Sequence, residues 1–235
     1  MSDTQNLNAK TNIIVYLATG SLQGTSIIGE LEDQNLEYEV RYIDLTKNEH
    51  REPWFLEISP IGIIPAITET VRGDDVAIFG TAAILRYLDD EFGRRDPERY
   101  SLKPDISNTG IRWKALNWVC WILHQPTILQ AVAYAVRDHT HNITPYAVEF
   151  FKGQILAYYR CLDDHFLGTG YGFIGGNEPT IADFAAVEWL SSHALLDIPL
   201  EDFSTVDSYY EDADSRIVMN GDPQVPRPLP TLVLF

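Results

Sequence analysis

Cysteine is scarce. The chain has two among 235 residues, Cys120 and Cys161, far apart and in no CxxC pair. That leaves a disulfide framework, a zinc ribbon and a thioredoxin-type redox pair without support. Long apolar runs are missing too: none approaches the ~18 residues of a membrane helix. The opening MSDTQNLNAKTNIIVYLATG has neither a basic start nor a long apolar stretch, so no secretory signal and a cytoplasmic location are expected. Basic residues are few: 17 Lys and Arg stand against 34 Asp and Glu, a net charge of −17. Without a basic stripe, neither nucleic acid nor an anionic membrane surface is an expected partner. The charge serves solubility. The six histidines, His50, His124, His139, His141, His165 and His193, are scattered. His139 and His141, two apart, fall on different faces of a helix. No HExxH, GxSxG or GxxxxGK[ST] occurs, so the sequence calls for no metal, serine triad or P-loop.

What is present is a change of periodicity along the chain. Residues 1–10 are polar and read as a frayed end. Asn12–Leu17 is a β-rich run, and Thr19–Gly24 is a turn. Thr25–Gln34 has a short helical period through Ile27, Ile28 and Leu31, ended by Asn35. Tyr38–Ile43 alternates like a strand. This β-turn-α-β opening favours a parallel strand pair. A polar stretch from Thr46 to Pro53 leads into a short helix over Trp54–Ile58, broken by Ser59-Pro60. Ile63–Ile67 is apolar around Pro65, which suits an edge strand or a special peptide bond. Val76–Phe79 reads as a strand after the Arg72–Asp75 turn. Thr81–Phe92 is a helix with Ile84, Leu85, Leu88 and Phe92 on one stripe, ending at Gly93.

From residue 93 to 108 the chain is rich in proline and charge and reads as a linker. Beyond it the pattern is helical: Ile111–Val136 with a kink at Pro126, then Tyr146–Phe166, then a helix from Thr180 to about Leu195. Thr180-Ile181-Ala182-Asp183 resembles a capping box with Asp as its acid. Ser204 to about Val218 is a weaker helix, followed by the proline-rich tail GDPQVPRPLP and an apolar TLVLF. There are no internal repeats.

Four stretches carry a family resemblance. They are Glu49-His50-Arg51-Glu52-Pro53-Trp54-Phe55, Ser59-Pro60-Ile61-Gly62-Ile63-Ile64-Pro65-Ala66, Phe79 to Leu88, and Pro179 to Asp183. In order and spacing they resemble motifs of the glutathione transferase superfamily, most of all fungal members related to the yeast nitrogen-regulator prion protein. Each is short; together they span most of the chain. The resemblance implies an α/β N-terminal thioredoxin-like domain (βαβ-αββα, mixed four-stranded sheet) over 1–92, the 93–108 linker, and an all-α C-terminal domain with its tail over 109–235.

The resemblance also implies a site with glutathione as co-substrate. Pro65 would be cis, turning the Ile64 N–H and C=O outward to pair with the cysteinyl unit like an added strand. Thr81, at a helix start, would hold the γ-glutamyl carboxylate. His50 and Arg51 would meet the glycyl carboxylate, Arg51 through its fork. A hydroxyl or amide near the end of strand one would favour the thiolate. Tyr16, Thr19, Ser21, Gln23 and Thr25 are within reach, with Ser21 first, Thr19 next, and Tyr16 the choice if tyrosine-type members are the guide. Gly80 stands where the family motif has Glu. Either Asp74, Asp75 or an acid of a partner subunit substitutes for it, or the fold serves another task.

Trp113, Asn117, Cys120, Trp121, His124 and Ile128 fall on one helical stripe, with Trp118, Tyr134 and Arg137 on neighbouring faces. The stripe is a domain core, a dimer core, or an aromatic wall for an apolar substrate, in which Trp113, Asn117, Trp121 and His124 would line the pocket. The expected activity is attack of glutathione thiolate on a small hydrophobic electrophile. The alternatives are isomerisation, elimination or cyclisation of an intermediate in fungal secondary metabolism, with or without glutathione, and a non-catalytic binding or regulatory protein. A homodimer is expected by resemblance.

Overall fold

The computed structural model describes residues 9–18, 23–71, 74–93, 109–124, 145–191, 193 and 198–218. The candidate residues Thr19 and Ser21, residues 94–108 of the expected linker, Pro126, Ile128, Tyr134, Arg137, His139, His141 and the proline-rich tail lie outside them.

The N-terminal half is built on four strands: β1 (Ala9–Ala18), β2 (Leu36–Ile43), β3 (Ala66–Val71) and β4 (Asp74–Phe79). Their order in the sheet is β2-β1-β3-β4. β1 and β2 run parallel, joined through helix α1 (Gln23–Asp33), and the β1–β3 and β3–β4 pairs are antiparallel. β1 is longer than the apolar run suggests: Ala9 and Lys10, expected to fray, are already in the strand, and Ala9 pairs with Leu36 across an irregularity in the register.

β1 is central, which explains its nearly unbroken apolar sequence. Ile13, Val15 and Leu17 point to one face, where they meet Ile27, Ile28 and Leu31 of α1 and Ile84, Leu88 and Phe92 of α3 (Thr81–Phe92). Tyr16 and Ala18 point to the other, with Ile43, Ile64, Ala66 and Phe55 of the short helix α2 (Pro53–Ile58). The segment before α2 forms two 3-10 turns, Leu45–Lys47 and Glu49–Arg51.

The second half is helical: α4 (Thr109–His124), α5 (Pro145–Thr169), α6 (Ile181–Leu190) and α7 (Ser204–Val218). α6 is its axis; every one of its ten residues is buried. Its alanines let α4 and α7 approach closely. Ala115, Val119 and Ile122 of α4, Ile155, Tyr159, Leu162 and Phe166 of α5, and Val206, Tyr209 and Ala213 of α7 close around it. Leu85 of α3 belongs to this second core, so α3 serves both halves. The capping box is present as read: Thr180 caps the helix start and Asp183 reaches back. The helix ends at Leu190, short of the expected Leu195, and Ser191 beyond it donates its hydroxyl to the Glu188 carbonyl at 2.7 Å. No helix among the described residues is long and apolar enough to cross a membrane.

Candidate functional site

The Ile64–Pro65 peptide is cis. It sits where the sheet begins: Ala66, the next residue, pairs with Tyr16 of β1 on one side and Phe79 of β4 on the other. The Pro65 carbonyl accepts the Gly80 N–H at 2.9 Å, tying the peptide to the start of α3. Among the described residues Ile64 itself enters no backbone hydrogen bond. A strand-like donor and acceptor are therefore left over beside the sheet, an arrangement that suits an extended peptide.

Thr81 opens α3 and is buried, at 8% exposure. The first helical bond is Ile84 N–H to the Gly80 carbonyl, so the amides of residues 81–83 have no acceptor within the helix. Gly80 precedes them at φ +87°, and no side chain caps the helix. A carboxylate would complete this end.

The turn bearing His50 and Arg51 packs against the loop leading to Pro65. Arg51 donates from Nη1 to the Ile61 carbonyl at 3.2 Å. Gly62, at φ +68°, lies so close that a Cβ there would stand 2.6 Å from the His50 carbonyl. His50 Nδ1 is buried with no partner among the described residues. Burial, then the charge of Arg51, pushes the imidazole below its ordinary value, so it is neutral near pH 7.

The structure thus brings His50, Arg51, Ile64, Pro65, Gly80 and Thr81 to one end of the sheet. Tyr16 is taken up in packing. Its ring stacks edge-on with Phe55 at 5.8 Å and tilts on Trp54 at 6.2 Å, and its hydroxyl lies 3.4 Å from Thr68 Oγ1. Asp74 and Asp75 do not stand in for the missing acid in the same chain. They open β4, and Gly80 follows its far end, roughly 16–20 Å along the strand.

The stripe on α4 is divided. Trp113, Asn117, Cys120 and His124 are solvent-facing, while the helix core face is Ala115, Val119 and Ile122. Trp121 turns inward, against Trp118 at 5.2 Å, Tyr158 at 5.3 Å and Trp189 at 6.1 Å. The domain-core reading therefore holds for Trp121 and not for its exposed neighbours. A separate open hollow of about 660 Å³ lies by β2, lined by Arg41, Tyr42, Ile43, Lys47, Glu49, Glu52 and Trp54. Its cations are engaged, Arg41 with Glu39 and Lys47 with Asp44, both at 2.8 Å. Sequence reasoning missed the part played by Gly62, although the Pro-Ile-Gly run was in view, and the buried Glu188, whose signal is a lone acid within the apolar run of α6.

The mixed sheet, the cis proline and the uncapped α3 define a thioredoxin-like domain joined to a helical half. Residues 29–91 match the family model of the glutathione S-transferase N-terminal domain. A glutathione S-transferase domain-containing protein of Dictyostelium discoideum is 30% identical over 189 residues, covering 78% of this chain and 69% of that protein. A glutathione transferase homologue from Lodderomyces elongisporus, solved with two glutathione molecules per subunit, superposes with a TM-score of 0.77 at 26% identity over 86% of this chain and 92% of that one. Yeast Ure2p in complex with glutathione shares the fold, with a TM-score of 0.80 at 17% identity over 91% and 95% of the two chains. The chain belongs to the glutathione S-transferase family.

Proposed function

We propose that the protein binds glutathione along Ile64–Pro65 and uses its thiolate to attack an electrophilic carbon of a small apolar substrate. One observation carries the reading: the Ile64 backbone is left unpaired beside a cis proline and the open amide end of α3. The cysteinyl backbone pairs with Ile64. The γ-glutamyl carboxylate takes the Thr81 hydroxyl and the first amides of α3. The glycyl carboxylate lies toward Arg51 and the His50 Nδ1. Ser21, or else Thr19, donates a hydrogen bond to the sulfur, which lowers the thiol pKa. Catalysis then consists of a larger thiolate fraction and the positioning of two reactants. The carbon–sulfur bond forms as the electrophile's leaving group departs, or as its π bond takes up the electron pair and later a proton. Exposed Trp113, Asn117 and His124 on α4 are the proposed contacts of the apolar substrate.

A second reading rests on Gly80. Without the motif acid and with Asp74 and Asp75 out of reach, the ligand's amino group has no carboxylate from this chain among the described residues that we assign to it. An isomerase, lyase or cyclase that handles an apolar intermediate, with glutathione held weakly or not at all, fits that loss.

Calorimetric titration with glutathione at pH 7 separates the two. Binding between micromolar and low millimolar is expected, weakened roughly tenfold by Thr81→Ala, as for loss of one hydrogen bond to a charged group. No heat and no thermal shift at ~10 mM glutathione would refute the first reading and favour the second.

A further inference from the structure

α6 is buried along its length yet carries a second acid besides the capping Asp183: Glu188, 4% exposed. It faces α1 across the contact between the two halves. Ser26 in the first turn of α1, 1% exposed, donates its hydroxyl to Glu188 Oε2, and the Ser26 backbone N–H points to the same carboxyl. The partners are 162 residues apart in sequence. No ion pair reaches Glu188 among the described residues. The described titratable groups on the elements packed against α6 are otherwise engaged, at least partly exposed or, as with Asp89 of α3 and Tyr159 of α5, buried. On α1, Glu30 is bonded by Gln34. On α3, Arg86 pairs with Asp90, and Asp89 is buried. Lys114 and His124 of α4 are exposed. On α7, Tyr209 donates to Asp183, and Asp207 is half-buried. Among the described residues none of them acts on Glu188, whose carboxyl is set by burial and by the bonds from Ser26.

We propose that Glu188 is a proton-dependent latch between the two halves: neutral, it closes on Ser26 and holds the first turn of α1 against α6; ionised, it places an uncompensated charge in that contact and loosens it. A helix start and two hydrogen bonds offset only part of the cost of a buried charge. Burial accordingly pushes the Glu188 carboxyl up to about 8 despite the Ser26 bonds. In the unfolded chain it titrates at its ordinary 4.5. Between those values the folded protein holds a proton that the unfolded chain does not. The stabilisation is therefore fully present below 4.5 and is lost as pH rises through about 8.

The latch is independent of glutathione and is tested without it. Thermal unfolding of the full chain and of Glu188→Gln, a neutral isostere, is followed from pH 6 to pH 9. The wild-type Tm is expected to fall by about 5 °C or more relative to the variant over that range. Parallel curves would overturn the proposal. Hydrogen exchange locates the effect: protection of the α1 amides in the wild type is expected to drop with pH relative to β3, and not in the variant; an equal change in both elements would contradict a latch. Should Glu188→Gln not fold, carboxyl-carbon NMR of glutamate-labelled wild type replaces it. A glutamate carboxyl titrating above pH 6 supports the latch, and none above pH 6 overturns it.

Discussion

A Cβ at residue 62 would stand 2.6 Å from the His50 carbonyl, on a backbone at φ +68°. Residue 80 is different: φ is +87°, but nothing lies within 4 Å of a Cβ there. The two glycines should therefore respond unequally to alanine. Gly80→Ala is expected to cost about 1 kcal/mol, for backbone strain alone. Gly62→Ala adds a clash with a backbone atom and is expected to cost about 3 kcal/mol or more and to disturb the His50–Arg51 turn. Urea unfolding of both variants measures the difference; equal losses would mean that the close approach at Gly62 does not matter. His50 adds a pH effect. Its imidazole is pushed below the ordinary 6.5, so the unfolded chain takes up the proton first and stability falls as pH drops below 6.5. At this scale Pro65, Thr81, His50 and Arg51 are legible as candidates from their motifs, and they lie at one end of the sheet. That Asp74 and Asp75 lie at the opposite end of β4 is not legible, since only the strand register shows it.

Among the elements, α6 depends most visibly on one side chain. The Asp183 carboxylate accepts from the Ile174 N–H at 2.8 Å, the Thr180 N–H at 2.7 Å, the Thr180 hydroxyl at 2.9 Å and the Tyr209 hydroxyl at 3.0 Å. Burial pushes its pKa up, and these bonds work against that. Asp183→Ala leaves four buried donors unpaired across α6, α7 and the preceding loop. A loss of about 3–5 kcal/mol is expected in chemical denaturation; a loss below about 1 kcal/mol would show that water replaces the carboxylate. The start of α6 could be read from Thr180 and Asp183, because a capping box is a local pattern. Its end could not. The Ser191–Ser192–His193–Ala194–Leu195 run contains no glycine or proline, so no breaker marks the end at Leu190. The buried face of α4 was equally hidden. Its tryptophans, Trp113, Trp118 and Trp121, point in several directions, and the core took the smaller Ala115, Val119 and Ile122.

For the whole molecule, α3 and α6 join what the sequence divides: Leu85 packs into the helical core, and Glu188 meets Ser26 across the halves. Tyr146 and Phe150 are exposed on the first turns of α5. We propose that they make an apolar contact with a second copy. Light scattering at micromolar concentration is expected to return twice the 26.6 kDa chain mass; a monomer would contradict that contact. The βα pattern and the helical half were legible because periodicity reports burial. The contact between them was not, since a lone acid in an apolar run does not name its partner. The central claim, that glutathione extends the sheet at the cis proline, is tested most directly by a crystal structure of the protein grown with glutathione. The expected result is the cysteinyl unit paired through both backbone bonds to Ile64, with the γ-glutamyl carboxylate on Thr81. Glutathione bound elsewhere, or an empty Ile64 edge at saturating ligand, would contradict it.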